Sequence, residues 1–144
     1  MSLDAAIDEL QEFLTKPPAY VAIVLDQISR ARLLKWWKTE VGPLLSQQYA
    51  HHVTVKFNPS MQDVRGMPLG KKATLQVVGW AQNDSVQAVV VKSASPSASK
   101  IPHVTVATDG ALPSQSNPLL RAGFTRVRGP KLSGTLLGQE RTKR

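Results

Sequence analysis

One tetrapeptide occurs twice in this chain, as His52-Val53-Thr54-Val55 and as His103-Val104-Thr105-Val106. Each copy is β-branched and alternates polar with apolar residues, the pattern of a half-buried strand. Side chains i and i+2 of a strand share a face, about 7 Å apart. His52 therefore shares a face with Thr54, and His103 with Thr105, while Val53, Val55, Val104 and Val106 point the other way. A fold that buries both pairs of valines must turn both His-x-Thr pairs to the opposite side. The repeat is too sparse for a solenoid and predicts a two-fold pseudo-repeat, two lobes each offering one equivalent strand.

The remaining pattern supplies the elements around these strands. Leu3, Ala6, Ile7, Leu10 and Leu14 have helical spacing with acids in the first turns, and Lys16-Pro17-Pro18 ends that helix. Tyr20–Leu25 reads as a buried strand. Ser29 is positioned to cap a second helix, Arg30 to about Val41, which Gly42-Pro43 stops. Its Trp36 and Trp37 read as core or lobe contacts.

The first motif lies in a strand candidate, His51–Phe57. Asp63–Lys72 reads as a loop. Ala73–Trp80 and Val86–Lys92 are strands joined by the turn-forming run Gln82-Asn83-Asp84-Ser85. Ser93–Ser99 is a polar loop and Pro102–Ala107 the second motif strand. Residues 109–131, rich in Pro and Gly, form a long irregular connection with one short helical turn. Leu132–Leu137 is the last strand. About six strands and two clear helices, with hairpins dominating, predict one α+β domain over 1–144 with a frayed basic tail at 139–144.

Charge and composition narrow the chemistry. The chain of 144 residues carries a net charge of +8 and no cysteine. Cysteine nucleophiles, thiolate metal sites and disulfides are excluded. The basic excess favours phosphate-bearing ligands, though solubility charge alone gives the same balance. No run approaches the roughly 18 apolar residues of a membrane helix, and Met1-Ser2-Leu3-Asp4 does not read as a secretory leader. The expectation is a cytoplasmic protein with no membrane contact and no obligate protein partner.

Two imidazoles and two hydroxyls around one cavity suit attack at a phosphodiester. Histidine holds either protonation state near neutral pH, so one ring can take a proton while the other gives one. Hydroxyls of Thr54 and Thr105 can donate to the non-bridging oxygens as charge builds. The arrangement requires no metal or cofactor. A lone His-x-Thr would be a weak signal, but the two copies hold two of the chain's three histidines.

The duplicated His-Val-Thr-Val resembles the His-x-Thr-x signature of the 2H phosphoesterase superfamily. That superfamily includes LigT-like RNA cyclic phosphodiesterases, the cyclic phosphodiesterase domain of tRNA ligases, and phage enzymes that cleave cyclic oligonucleotide signals. The resemblance spans roughly Tyr20 to Leu137 in strand order and motif placement and is low outside the motifs. It implies a bilobal fold of two antiparallel sheets flanking a central cleft, with helices outside. It implies His52 and His103 as general acid and base with Thr54 and Thr105 beside them, acting on a 2′,3′-cyclic phosphate of an RNA end or nucleotide. A cyclic oligonucleotide phosphodiesterase and a non-catalytic RNA-binding module are the competing readings. Their partners are an RNA end, a nucleotide or a cyclic oligonucleotide.

Three further residues are candidates for substrate binding. Tyr20 either lines the cleft or packs into the core. Lys56 shares the His52 face by alternation and either touches phosphate or sits in solvent. Trp80, at a strand end, either stacks a base or packs between lobes. Arg65, Lys71 and Lys72 lie in a loop that either attracts phosphate or is simply solvated. His51 falls outside the signature and is expected to point to the other face.

Overall fold

The computed structural model describes residues 17–93 and 101–139. The expected helix at Leu3–Leu14, most of the Ser93–Ser99 loop and the end of the tail lie outside the described residues. The described part is α+β. Eight strands join in one hydrogen-bonded sheet, and three α-helices and a 3-10 turn accompany it.

The strands are β1 Tyr20–Leu25, β2 Gln47–Gln48, β3 His52–Phe57, β4 Lys72–Gln82, β5 Val86–Lys92, β6 His103–Thr108, β7 Thr125–Arg126 and β8 Lys131–Gln139. Their order is β2-β6-β5-β4-β8-β1-β3, with β7 also on β4, and the pairings are antiparallel. Gln139, assigned to the tail by sequence, is the last residue of β8 and pairs with Tyr20. The helices are α1 Gln27–Glu40, α2 Met61–Arg65 and α3 Ser116–Arg121, with a 3-10 turn at Pro113–Gln115.

Two separate sheets were the expectation, and the long strand β4 is why they are one. Its first part, Lys72–Gln76, pairs with β8, and its second, Gln76–Gln82, pairs with β5 on the other side. Val78 is passed over between Val77 and Gly79, a bulge that bends the strand where the two parts meet. Gly79 belongs there because a Cβ would stand 2.5 Å from the Phe124 ring.

The two ends of the strand path are drawn together by residues 47–57. Gln47 and Gln48 pair with β6, and Tyr49 and Ala50 continue that ladder by donating to the Val106 and Thr105 carbonyls at 2.8 and 3.0 Å. One residue later the chain changes partner. The His51 carbonyl accepts from Leu25 N–H at 2.8 Å, and β3 pairs with β1. Ala50, with φ 49°, makes the turn between the two ladders. Arg30 of α1 donates its Nε to the Tyr49 carbonyl at 2.8 Å and holds the crossing segment.

Asp26, rather than Ser29, caps α1, its carboxylate accepting from Ser29 N–H at 2.7 Å. Ser29 instead accepts from the backbone N–H of Ser133 at 2.8 Å and fastens the helix to β8. Leu33 and Trp37 are fully buried in the main core with Val21, Ile23, Val53, Val104 and Val106. A second cluster holds Ala81, Ala88, Val90 and Leu120 of α3. The valines of both motifs thus face the core, which leaves the polar pairs on the other side.

Candidate active site

Each motif strand carries the same irregularity. Opposite β3, Val21 pairs with Lys56 and Ala22 with Thr54, so Val55 is passed over. Opposite β6, Gln87 pairs with Ala107 and Ala88 with Thr105, so Val106 is passed over. The bulge falls on the fourth residue of both tetrapeptides. It bends each strand just beyond its threonine.

His52, Thr54, His103 and Thr105 line one cavity of about 260 Å³. Tyr20, Tyr49 and Phe57 form aromatic walls, and Pro113, Ser114 and Asn117 close the side next to α3. The Tyr20 ring lies 5.2 Å from that of His52 and 6.4 Å from that of Phe57. Both motif histidines are partly exposed, as pocket residues must be. No lysine or arginine lines the pocket among the described residues.

The rings are held at defined atoms. His103 Nδ1 lies 2.9 Å from the Ile101 carbonyl. A carbonyl accepts, so Nδ1 carries a hydrogen and neutral His103 keeps Nε2 bare. Thr105 Oγ1 donates to the Pro113 carbonyl at 3.2 Å and lies 2.8 Å from Ser116 Oγ. With its own hydrogen engaged at Pro113, Thr105 accepts the hydrogen of Ser116. The expected donor toward a ligand therefore already serves to attach β6 to the start of α3.

Electrostatics favours neutral rings. Burial, and then the neighbouring His51 and His103 rings, lower the His52 pKa to about 4. Burial also lowers that of His103, while the Ile101 carbonyl acts in the opposite direction by favouring the protonated ring. Burial raises the Tyr20 phenol, which keeps its proton for donation. Among the described residues, no group of three or more His, Asp or Glu side chains is arranged to hold a metal ion.

Several residues stand elsewhere than the sequence suggested. Trp80 lies outside the pocket: its ring meets Trp37 edge-on at 5.8 Å, against the main core. Lys56 is exposed and does not line the pocket. The bulge at Val55 breaks simple alternation, so Phe57 takes the pocket side that Lys56 was expected to share. His51 was expected to face away but lines the pocket, with Nδ1 2.9 Å from His52 Nδ1. It belongs to the crossing between ladders, where strand alternation does not hold. Tyr49, Ser114 and Asn117 were missed because neither a strand pattern nor a motif marks them.

Among the described residues, no helix is long and apolar enough to cross a membrane. No family model matches the chain, and no curated protein matches it in sequence.

Proposed function

We propose that the protein is a 2H-type phosphodiesterase that hydrolyses a cyclic phosphate ester without a metal cofactor, His52 and His103 serving as base and acid. The observation that carries this reading is the convergence of both His-x-Thr pairs on one pocket. The parts of the sheet on either side of the β4 bulge act as the two lobes, each bringing one motif strand to the cleft.

The asymmetry of the rings supports His52 as the base and His103 as the acid. His52, with its pKa lowered to about 4, is neutral at pH 7 and takes a proton from the attacking water. Burial lowers the His103 pKa, but its Nδ1–H fixed on a carbonyl opposes that shift, and an anionic ester bound beside the ring would favour the imidazolium further. Its Nε2–H is then given to the departing ribose oxygen as the phosphorus–oxygen bond breaks. Water supplies the new oxygen on phosphorus, and the product is a phosphomonoester. Exchange of one proton with solvent restores both rings.

A pocket whose described walls are aromatic favours a base-bearing ester, which could stack on Tyr20, Tyr49 or Phe57. The test is turnover of 2′,3′-cyclic mononucleotides, cyclic-phosphate-ended RNA and cyclic dinucleotides with a chelator present. Hydrolysis of a member of this panel that is lost in both His52→Ala and His103→Ala supports the reading. Binding without turnover in the unmodified protein replaces it with a binding module, and activity abolished by the chelator replaces it with a metalloenzyme.

A further inference from the structure

His51 has no part in the acid–base scheme, yet its ring is fixed against the ring that does. The two Nδ1 atoms are 2.9 Å apart, with ring planes at 84°. Two ring nitrogens at that distance share one hydrogen, so one is donor and the other acceptor. The backbone holds His51 there: its carbonyl is tied to Leu25 N–H, and Ala50 before it is in the left-handed region. Tyr20 of β1 and His103 of β6 also face His52, and neither occupies its Nδ1.

We infer that His51 is a positioning residue for His52, accepting its Nδ1–H so that Nε2 is left bare toward the ester. This rests on the acid–base reading of His52. The exposure of the two rings sets the direction of the bond. His51 is exposed and His52 only partly so, so the His51 ring keeps the Nε2–H tautomer that imidazoles prefer in water, with Nε2–H on solvent and Nδ1 as acceptor. The less accessible His52 ring supplies the hydrogen. The second motif reaches the same end by another route, because His103 Nδ1–H is held by the Ile101 carbonyl. Both motif histidines then present Nε2, one oriented by a carbonyl and the other by a side chain.

The side-chain acceptor has a consequence that the carbonyl does not share. A protonated His51 has no lone pair at Nδ1 and would donate to His52, blocking the bare-Nε2 tautomer. A side-chain amide oxygen at position 51 would accept at any pH.

The experiment is nitrogen NMR of the histidine rings, with kinetics, on the full chain and on His51→Ala and His51→Asn. The expected result is His52 with hydrogen on Nδ1 and bare Nε2 in the unmodified protein, and a tautomer mixture in His51→Ala. With a cyclic nucleotide, His51→Ala should lower kcat about 10- to 100-fold with little change in KM, the usual loss for a partner that orients a reacting group. His51→Asn should recover most of that loss. A bare Nδ1 on His52 in the unmodified protein, or a tautomer unchanged by His51→Ala, overturns the inference. Ring tautomers are read without turnover. Catalysis with an indifferent tautomer therefore removes this role alone, while a dependent tautomer without catalysis removes the phosphodiesterase reading and leaves the pairing.

Discussion

Val55 and Val106 hold equivalent places in two different strands: each is the fourth residue of its motif, and each is passed over by the strand opposite. The equivalence extends the repeat from four residues of sequence to a shared backbone distortion. In β3 the distortion has a direct result, because it brings Phe57 into the pocket and leaves Lys56 outside.

That placement separates Phe57 from Trp80. Phe57 is 55% exposed, so little core packing depends on it. Phe57→Ala should raise KM for a base-bearing ester by about 10- to 100-fold, the worth of one aromatic stack, with the melting temperature nearly unchanged. Trp80→Ala should do the reverse, lowering unfolding free energy by about 2–4 kcal/mol through loss of its contact with Trp37. Steady-state kinetics beside thermal unfolding of the two variants checks both outcomes. A KM that rose only in Trp80→Ala would reverse the assignment.

Removal of either motif ring should nearly abolish turnover. His52→Ala and His103→Ala are each expected to lower kcat by about 10²–10⁴-fold, the usual contribution of a positioned acid or base. Isothermal titration with a non-hydrolysable analogue should show binding largely retained. A residual rate within tenfold of the unmodified protein in either variant would remove that ring from the chemistry.

The lowered His52 pKa makes stability depend on pH with a definite sign. The unfolded chain protonates this ring near its ordinary value of 6.5 and the folded chain at about 4. As pH falls from 6.5 toward 4 the unfolded state gains protons that the folded state refuses, so stability is present above the window and lost through it. The loss amounts to at most about 3 kcal/mol for this ring, and His103, shifted the same way, adds to it. Urea unfolding at pH 7 and pH 4.5 measures it, and His52→Gln should flatten the dependence. A slope undiminished in that variant would place its origin elsewhere.

At Thr105 a structural contact competes with the donor role that the repeated motif led one to expect. Its hydroxyl joins the buried Ser116 Oγ and the Pro113 carbonyl. Thr105→Val should lower stability by about 1–3 kcal/mol, because the Ser116 hydroxyl loses its partner, whereas Thr105→Ser should retain most of it. Thermal unfolding of the two variants distinguishes a lost hydrogen bond from a lost methyl group.

Close backbone approach gives one more test. A Cβ on Gly134 would stand 2.6 Å from the Val24 carbonyl oxygen, which is backbone and cannot swing aside. Gly134→Ala should separate β8 from β1 and lower stability by roughly 1–3 kcal/mol. Weakened hydrogen-exchange protection at Asp26, whose N–H donates to the Ser133 carbonyl, would locate the damage, and unchanged protection there would refute the account.

Sequence alone settled what depends on local pattern. Alternation in the repeated tetrapeptides placed four valines in the core and turned His52, Thr54, His103 and Thr105 away from it. The strands Tyr20–Leu25 and Val86–Lys92 were legible with their observed ends for the same reason. The five residues of α2 were not: they are too few to show a period, although the Ser60–Asp63 capping box marks them. Only the tertiary structure decided that β4 would be shared between both parts of the sheet, that a bulge would exchange Lys56 for Phe57, and that His51 would meet His52. These outcomes depend on which strand lies opposite and where its ladder skips a residue. A chain's own alternation carries no record of the register chosen by its partner.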